Sequence, residues 1–332
     1  MSGVSRLLRR RETRKPRYAT LCTWSLVLAT VCGATGGSGA EERSSQPVPR
    51  LRVITYNCQF LPEPASIKNE RPQPFYRARR IAEEVKQFDV VALQEIFHHE
   101  HRAALLEHLR AAWRNQLKQV FSPTPEDFYT SGGCLLLTRQ NIVASASVVF
   151  EERSRPEQYG LRADGFAAKG VIHGRVAVGH EMFVDVYVTH MEARADALRP
   201  KQYGELAKFV HRTSDPQRPL LILGDLNTRG AAEFRHDPTS QYGQLMRALV
   251  AVRPQGVVDV WAALRGDELG GTTDQQSVDV GKRIDYVLLG NPAPPTPRLS
   301  PASIEVRTYQ DEIVGALSDH NAVVAEFLCE RP

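Results

Sequence analysis

Cysteine is scarce in this chain, five among 332 residues, and no two stand in a Cys-x-x-Cys spacing. That scarcity speaks against a zinc-thiolate centre and against a cysteine nucleophile. Cys58, Cys134 and Cys329 each lie in or beside an apolar run and are expected as buried free thiols, with one disulfide among them as the alternative. Internal repeats and blocks of like charge are also missing. No His-Glu-x-x-His or zinc-finger spacing occurs: His98, His99 and His101 cluster after Glu95 but fit neither pattern, and they are expected at a solvated helix start. Long apolar runs are lacking too, the stretch from about Ala19 to Cys32 being short for a membrane span.

An excess of basic charge is missing once the N-terminus is set aside. Residues 1–40 carry Arg6, Arg9, Arg10, Arg11, Arg14, Lys15 and Arg17 before the apolar stretch and small residues ending Ser38-Gly39-Ala40 after it. This is the pattern of a secretory signal peptide, expected over 1–40, with an uncleaved anchor or a lipid-modified Cys32 as alternatives. The leader holds seven of the 42 Lys and Arg and one of the 38 Asp and Glu, leaving 35 against 37, a net charge of −2. Binding to nucleic acid through bulk positive charge is therefore disfavoured. Residues 41–50 form a polar linker, and 51–328 are expected to make one catalytic domain secreted or periplasmic after cleavage.

What the sequence does contain is six polar islands set against apolar, strand-like runs. Asn57 closes VITYN and Glu95 closes VVALQE; His190 ends VYVTH; Asp225 and Asn227 follow LILG; Asp285 interrupts RIDYVL; Asp319 and His320 precede NAVV. Runs rich in Val, Ile and Leu and free of Pro are expected as buried strands, at whose ends an α/β scaffold places its chemistry. Asp225 and Asn227 alternate, so an extended backbone would point both to one side. His320 beside a carboxylate suits a general base, and Asp285, buried in an apolar run, needs a partner such as a His or an amide. Hard oxygens with two His and no Cys suit Mg²⁺ and point to metal-assisted hydrolysis at phosphorus.

Periodicity predicts helices over 75–88, 101–113 and 198–211. Strands are predicted at 51–57, 89–94, 220–223, 284–289, 303–307 and 321–328, with GGCLLLT and NIVASASVVF as two strands around a short turn. The runs 169–179 and 181–190 are expected to form a hairpin, and 291–301 a Pro-rich loop. Paired strands with intervening helices imply an α/β fold in which two mixed or antiparallel sheets pack together under outer helices.

Taken in order from residue 51 to 328, the islands resemble the endonuclease/exonuclease/phosphatase superfamily of DNase-like metal-dependent phosphoesterases. The segments VVALQEIF, SGGCLLLTR, RADGFAAKGV, VTHMEA and YQDEIVGALSDHNAV are similar to its secreted neutral sphingomyelinases. That resemblance implies a four-layer α/β sandwich and Mg²⁺, one ion or two, with Mn²⁺ or Co²⁺ as substitutes. It implies Glu95 and Asn57 as metal residues and an Asp164–Lys169 pair at the substrate. It also implies His190 and Asn227 on the scissile phosphate, and His320, oriented by Asp319 and assisted by Asp225, as the activator of water. The substrate it implies is a choline phospholipid at a membrane surface, cleaved by a monomer with no obligate protein partner. A secreted nuclease, an inositol or sugar phosphate phosphatase, or a non-catalytic binding module are the competing readings. The aromatic-rich hairpin that bacterial relatives carry before Ser-Asp-His has no counterpart in 291–317, where Tyr309 is the one aromatic residue.

Overall fold

The computed structural model describes residues 49–62, 65, 67, 71–160, 163–179, 182–273 and 278–331. The expected leader and most of the linker lie outside the described residues. In chain order the strands of the first half are β1 Arg50–Phe60, β2 Val90–Ile96, β3 Lys118–Phe121, β4 Thr130–Ser131, β5 Leu135–Thr138, β6 Ile142–Val149, β7 Ala167–Ala168 and β8 Gly170–Val178. Those of the second half are β9 Met182–His190, β10 Leu220–Asp225, β11 Val258–Asp259, β12 Asp285–Gly290, β13 Arg298–Arg307, β14 Gln310–Asp311, β15 Gly315–Ala316 and β16 Ala322–Glu330.

Two six-stranded sheets carry the fold, one in the order β13-β16-β1-β2-β5-β3 and the other β11-β12-β10-β9-β8-β6. Both are mixed: β1 runs parallel to β2 and antiparallel to β16, and β10 runs parallel to β9 and antiparallel to β12. The side-chain alternation of each strand decides the layers. Leu51 and Val53 of β1 face Val184, Val186 and Val188 of β9, Leu221 and Leu223 of β10, and Val287 and Leu289 of β12 across a dry core between the sheets. Ile54, Tyr56 and Cys58 point the other way and bury Ile81, Val85, Leu105 and Leu109 of the helices Pro74–Val85 and His99–Ala112. On the far side Tyr187, Leu220 and Ile222 cover Leu206, Val210, Leu245 and Leu249 of the helices Arg199–Thr213 and Gln241–Val250. Helix, sheet, sheet and helix make the four layers expected, each buried Val or Leu contributing roughly 1.5–3 kcal/mol. Cys58, Cys134 and Cys329 are buried free thiols. Among the described residues no helix is long and apolar enough to cross a membrane.

The two strands expected around the turn at 139–141 are β5 and β6, and because they lie in different sheets this turn carries the chain from one sheet to the other. Two local readings change. The expected Pro-rich loop ends early, because β13 begins at Arg298 and takes in Pro301. Pro301 is tolerated there because β13 is an edge strand whose register with β16 shifts between Pro301 and Ser303. The helix Gln241–Val250 was not expected; it is capped by Ser240, whose side chain accepts from the Gly243 amide.

One buried ion cluster lies on the outer face of the second sheet. Asp185, opposite Arg175 in the β8–β9 ladder, accepts from Arg175 Nε at 2.8 Å, from the Asp215 amide at 2.9 Å, and bonds His173 Nε2 at 2.9 Å. Burial would raise its carboxyl, but the bonds from His173 and Arg175 win and hold it below the ordinary carboxylate value. A depressed carboxylate contributes stability that is present above its unfolded value and lost as pH falls through the folded one. Asp185→Ala is accordingly expected to cost about 3 kcal/mol in urea unfolding near neutral pH, because it leaves the Arg175 guanidinium, the His173 ring and the Asp215 amide without their shared buried acceptor. That difference should shrink as the pH drops below about 4, the ordinary carboxylate range, and a cost unchanged by acid would argue against the assignment.

Candidate active site

Four of the rows of side chains that fill the core between the sheets continue past their last apolar member and end in a polar residue at the same rim. Leu51, Val53 and Thr55 lead to Asn57; Val184, Val186 and Val188 lead to His190; Leu221 and Leu223 lead to Asp225. On β12 the row Leu289 and Val287 leads to Asp285. Strand register then places three of these ends side by side, since Asp225 pairs with His190 on one flank and with Asp285 on the other. Gly224 allows the close approach: it has a φ of 145°, and a Cβ there would meet the Thr189 carbonyl oxygen at 2.0 Å.

Glu95 reaches the same rim by a different device. Strict alternation from Val91 and Leu93 would aim it at the helices. A register shift instead sets the step from Asn57 to Phe60 against that from Gln94 to Ile96, and both Gln59 and Glu95 adopt positive φ, 51° and 55°. A bulge with two left-handed non-glycine residues costs about 1–3 kcal/mol per residue and is the usual way a strand re-aims a functional side chain. As a result Glu95 Oε1 lies 3.1 Å from Asn57 Nδ2.

Asp225 Oδ2 stands at the centre of the cluster. Asn57 Nδ2 lies 3.2 Å from it, His190 Nε2 3.6 Å and His320 Nε2 3.7 Å. His190 Nε2 is also 3.9 Å from Glu95 and 3.3 Å from Lys169 Nζ. Lys169 donates to Asp164 Oδ2 and to the Met191 carbonyl, both at 2.8 Å, and Asn227 Nδ2 donates to that carbonyl at 3.1 Å. Asn57, Glu95, Asp164, Lys169, His190, Asp225, Asn227 and His320 are thus linked by contacts below 4 Å, and Asp319 joins them through Gln59, whose Nε2 donates to Asp319 Oδ2 at 2.9 Å.

The orienting partner of His320 differs from the one expected. Asp285 Oδ2, not Asp319, lies 2.8 Å from His320 Nδ1. The reason is the antiparallel register of β10 and β12, which brings Asp285 beside Asp225, whereas Asp319 is turned to Gln59. Three further residues brace the site with no signal of their own in the sequence. Ser318 Oγ donates to the Asn57 carbonyl at 2.6 Å, tying the terminal loop to β1. Thr272 Oγ1 accepts from the Ile284 and Asp285 amides at 3.1 and 3.2 Å, and Asn321 holds the Gly271–Thr272 backbone through its own amide. The expected solvated His cluster holds for His99, exposed at the helix start, but not for His101, which is buried with its ring 4.8 Å from Phe75 and 5.6 Å from Phe60.

Burial and like charge dominate the electrostatics. Burial, and then the charge of Asp285, push the Asp225 carboxyl up to about 7. Glu95 is raised by burial and by Asp319. The two imidazoles diverge: burial and then Lys169 hold His190 well below its ordinary value, while Asp285 overcomes burial and holds His320 well above it. Asp164 overcomes the burial of Lys169 and raises it, and Lys169 overcomes that of Asp164 and keeps the carboxyl well below the usual range, so this pair stays ionised.

A divalent cation fits this donor set. The acids Glu95, Asp225, Asp285 and Asp319 outnumber the cations facing them, and Asp285 Oδ1 is buried with no hydrogen-bond partner. Asp225, Asp285 and His320 place ligand atoms within 4.8 Å of one another, a group that does not include the expected metal residues Glu95 and Asn57. Asp285 Oδ2 and His320 Nδ1 are spent on each other, so a cation here would be met by the carboxylates of Glu95 and Asp225 and by Asp285 Oδ1.

Comparison with known proteins gives consistent results. A family model described as Endonuclease/Exonuclease/phosphatase family matches residues 54–320. Sphingomyelinase C of Bacillus cereus is 26% identical over 259 residues, which span 69% of this chain and 72% of that protein. A putative neutral sphingomyelinase of Caenorhabditis elegans is 25% identical over 75% of this chain and 60% of its own length. Among solved structures, a beta toxin variant from Staphylococcus aureus with bound magnesium ions superposes with a TM-score of 0.62 at 18% identity, covering 83% of this chain and 98% of that one. Sphingomyelinase C from Streptomyces griseocarneus gives 0.57 at 20% identity over 84% and 99%. At these identities the structural likeness speaks for the fold.

The exchange of partners at His320 is directly measurable. With His320 in the water-activating role the resemblance implies, Asp285→Asn is expected to lower kcat on any phosphodiester substrate by about a hundredfold or more by loosening its imidazole. Asp319→Asn should cost less. Equal losses, or a larger one for Asp319→Asn, would return the orienting role to Asp319.

Proposed function

Because the chain belongs to the Endonuclease/Exonuclease/phosphatase family and is a hydrolase of phosphoric esters, we propose that it is an exported, Mg²⁺-dependent phosphodiesterase cleaving sphingomyelin or a related phospholipid to phosphocholine and ceramide. The observation that carries this reading is the convergence on one rim of Glu95, His190, Asp225 and His320 around Asp225 Oδ2, with the Asp164–Lys169 ion pair beside them. The sphingomyelinases among its relatives support the choice of substrate, and a neighbour solved with magnesium supports the choice of ion. The basic and apolar N-terminus supports export.

In this reading Glu95 and Asp225, with Asn57 between them, hold the ion, which when bound supplies positive charge to the phosphoryl oxygens. His320, clamped through Nδ1 by Asp285, presents Nε2 towards Asp225 and accepts the proton of the attacking water. The new oxygen–phosphorus bond forms in line as the bond to the ceramide oxygen breaks, and the alkoxide leaves and takes up a proton. His190, kept neutral beside Lys169, and Asn227 line the phosphate side. Asp285 and Asp225 raise His320, so positive charge held at Glu95 and Asp225 would favour their ionised forms and lower His320 towards the range of a base.

Membrane approach is built differently from the aromatic-rich hairpin of bacterial relatives. Only the two-residue strands β14 and β15 form a ribbon before Ser318, with Ile313, 62% exposed, at its tip. Tyr309 is turned inward, 5.6 Å from the Tyr56 ring.

The reading predicts phosphocholine release from sphingomyelin vesicles that requires Mg²⁺, is abolished by EDTA, and falls about a hundredfold or more in His320→Ala. Plasmid DNA serves as the parallel substrate. Cleavage of DNA with the lipid left intact would keep the family chemistry and discard the lipid substrate.

A further inference from the structure

Arg77 is wholly buried, the largest side chain in that state among the described residues, and no step of the proposed reaction uses it. It stands on the helix Pro74–Val85, in the buried stripe with Ala78, Ile81, Ala82 and Val85, where a charge is out of place unless its donors are met. Those donors reach two separate segments of the reaction centre. Nη2 donates to the Cys58 carbonyl at 2.5 Å and Nη1 to the Gln59 carbonyl at 3.4 Å, while Nε donates to the Leu317 carbonyl at 2.8 Å. The guanidinium carbon lies 4.9 Å from the centre of the Phe60 ring, which adds an aromatic face to its surroundings.

Both segments need holding. Cys58 and Gln59 lie between the register pairs Asn57–Gln94 and Phe60–Ile96, in the bulge that turns Glu95 to the rim, and Gln59 has a φ of 51°. A bulge releases carbonyls from the ladder, and a left-handed non-glycine residue persists only where its surroundings over-determine it. Leu317 leads directly into Ser318, Asp319 and His320. Two further bonds cross the same gap: Ser318 Oγ donates to the Asn57 carbonyl at 2.6 Å, and Gln59 Nε2 to Asp319 Oδ2 at 2.9 Å. Those two bonds run from one segment to the other, whereas Arg77 grips both from a helix outside them. A planar guanidinium can donate in two directions at once, which the single point charge of a lysine cannot reproduce.

We infer that Arg77 is a positioning residue of the reaction centre. It fixes the separation between the β1 bulge, which carries Asn57 and Gln59 and aims Glu95, and the turn that carries Asp319 and His320. Through that separation it aligns the acids that would face a cation with the imidazole that would activate water. It touches neither substrate nor ion. The inference rests on the phosphodiesterase reading for its kinetic readout, and a second readout, cation affinity, stands apart from turnover.

The test measures hydrolysis of bis(p-nitrophenyl) phosphate by the full chain at saturating Mg²⁺, and apparent Mg²⁺ affinity from melting temperatures across a Mg²⁺ series. Arg77→Lys, Gln59→Ala and their double variant are compared with the wild type. Asp185→Ala, at the far end of the β9–β10 register from His190, controls for lost stability. Arg77→Lys is expected to lower kcat about tenfold or more and to weaken Mg²⁺ about three- to tenfold, the cost of disturbing an outer partner of a metal site. KM for the diester should stay within about twofold, since the residue does not meet the substrate. Asp185→Ala should keep kcat and Mg²⁺ affinity within about twofold, being remote from the site. In the double variant the loss of kcat should fall well short of the product of the single losses, because both changes open one joint. Losses that multiply, an equal loss in Asp185→Ala, or a kcat and Mg²⁺ affinity unmoved in Arg77→Lys overturn the inference while leaving the phosphodiesterase intact. Arg77→Gln, which buries no charge, replaces the lysine variant if that one does not fold; failure of both to fold confines Arg77 to stability and overturns the positioning role. Should the wild type leave the diester intact, the phosphodiesterase reading fails. The Mg²⁺ series then decides alone: an affinity weakened in Arg77→Lys but not in Asp185→Ala keeps the positioning role, and an unchanged or absent response removes it.

Discussion

Four carboxylates crowd the rim where the inner rows of the two sheets run out of apolar side chains, with the carboxyl of Asp225 at their centre. The crowding follows from the fold itself. Strand register sets His190, Asp225 and Asp285 abreast, and β1 from the facing sheet brings Asn57 against them. Apolar packing along the same rows prevents Asp225 and Asp285 from spreading apart, because each continues a row of Val or Leu side chains locked in the core. Asp225 is pushed up to about 7 as a direct consequence. The stability of the inter-sheet core thus sustains an arrangement of charge that the site would not tolerate unaided.

The same crowding differentiates groups that start alike. His190 and His320 both lie within 4 Å of Asp225 Oδ2, yet one is held neutral by burial and Lys169 and the other is held charged by Asp285. Such a divergence sets two chemically identical groups of one cluster in opposite protonation preferences. Asp164 and Lys169 add a charge pair locked in its ionised form, which fixes the position of the Met191 carbonyl and, through it, Asn227.

Much of this was legible because a polar residue at the end of a buried strand breaks a pattern. Asn57, His190, Asp225 and Asp285 each sit where alternation demands another apolar side chain, so the break itself marks the rim. What the pattern does not carry is partnership across strands. Assigning His320 to Asp285 needs the register of β10 against β12, which depends on packing remote in sequence. Glu95 was found at its strand end, but the bulge that turns it towards Asn57 leaves no trace in composition. His101 was misread because its helix start looks polar, and its burial is provided by Phe60 and Phe75 from elsewhere in the chain. Pro301 likewise marks a loop by composition and sits in an edge strand by topology. The brace residues Ser318, Thr272 and Asn321 are ordinary residue types whose role is only positional.

The central claim is that the acids around Asp225 are arranged for a divalent cation, and thermal unfolding of the full chain in Mg²⁺ against EDTA tests it most directly. The account predicts a melting temperature that rises with Mg²⁺ as a binding isotherm, since an ion bound only by the folded state stabilises it by mass action. The rise should be lost in Glu95→Gln and in Asp225→Asn, whose metal-free stability should equal or exceed that of the wild type because a buried like charge has been removed. A melting temperature indifferent to Mg²⁺, or a response kept in both variants, would contradict the account.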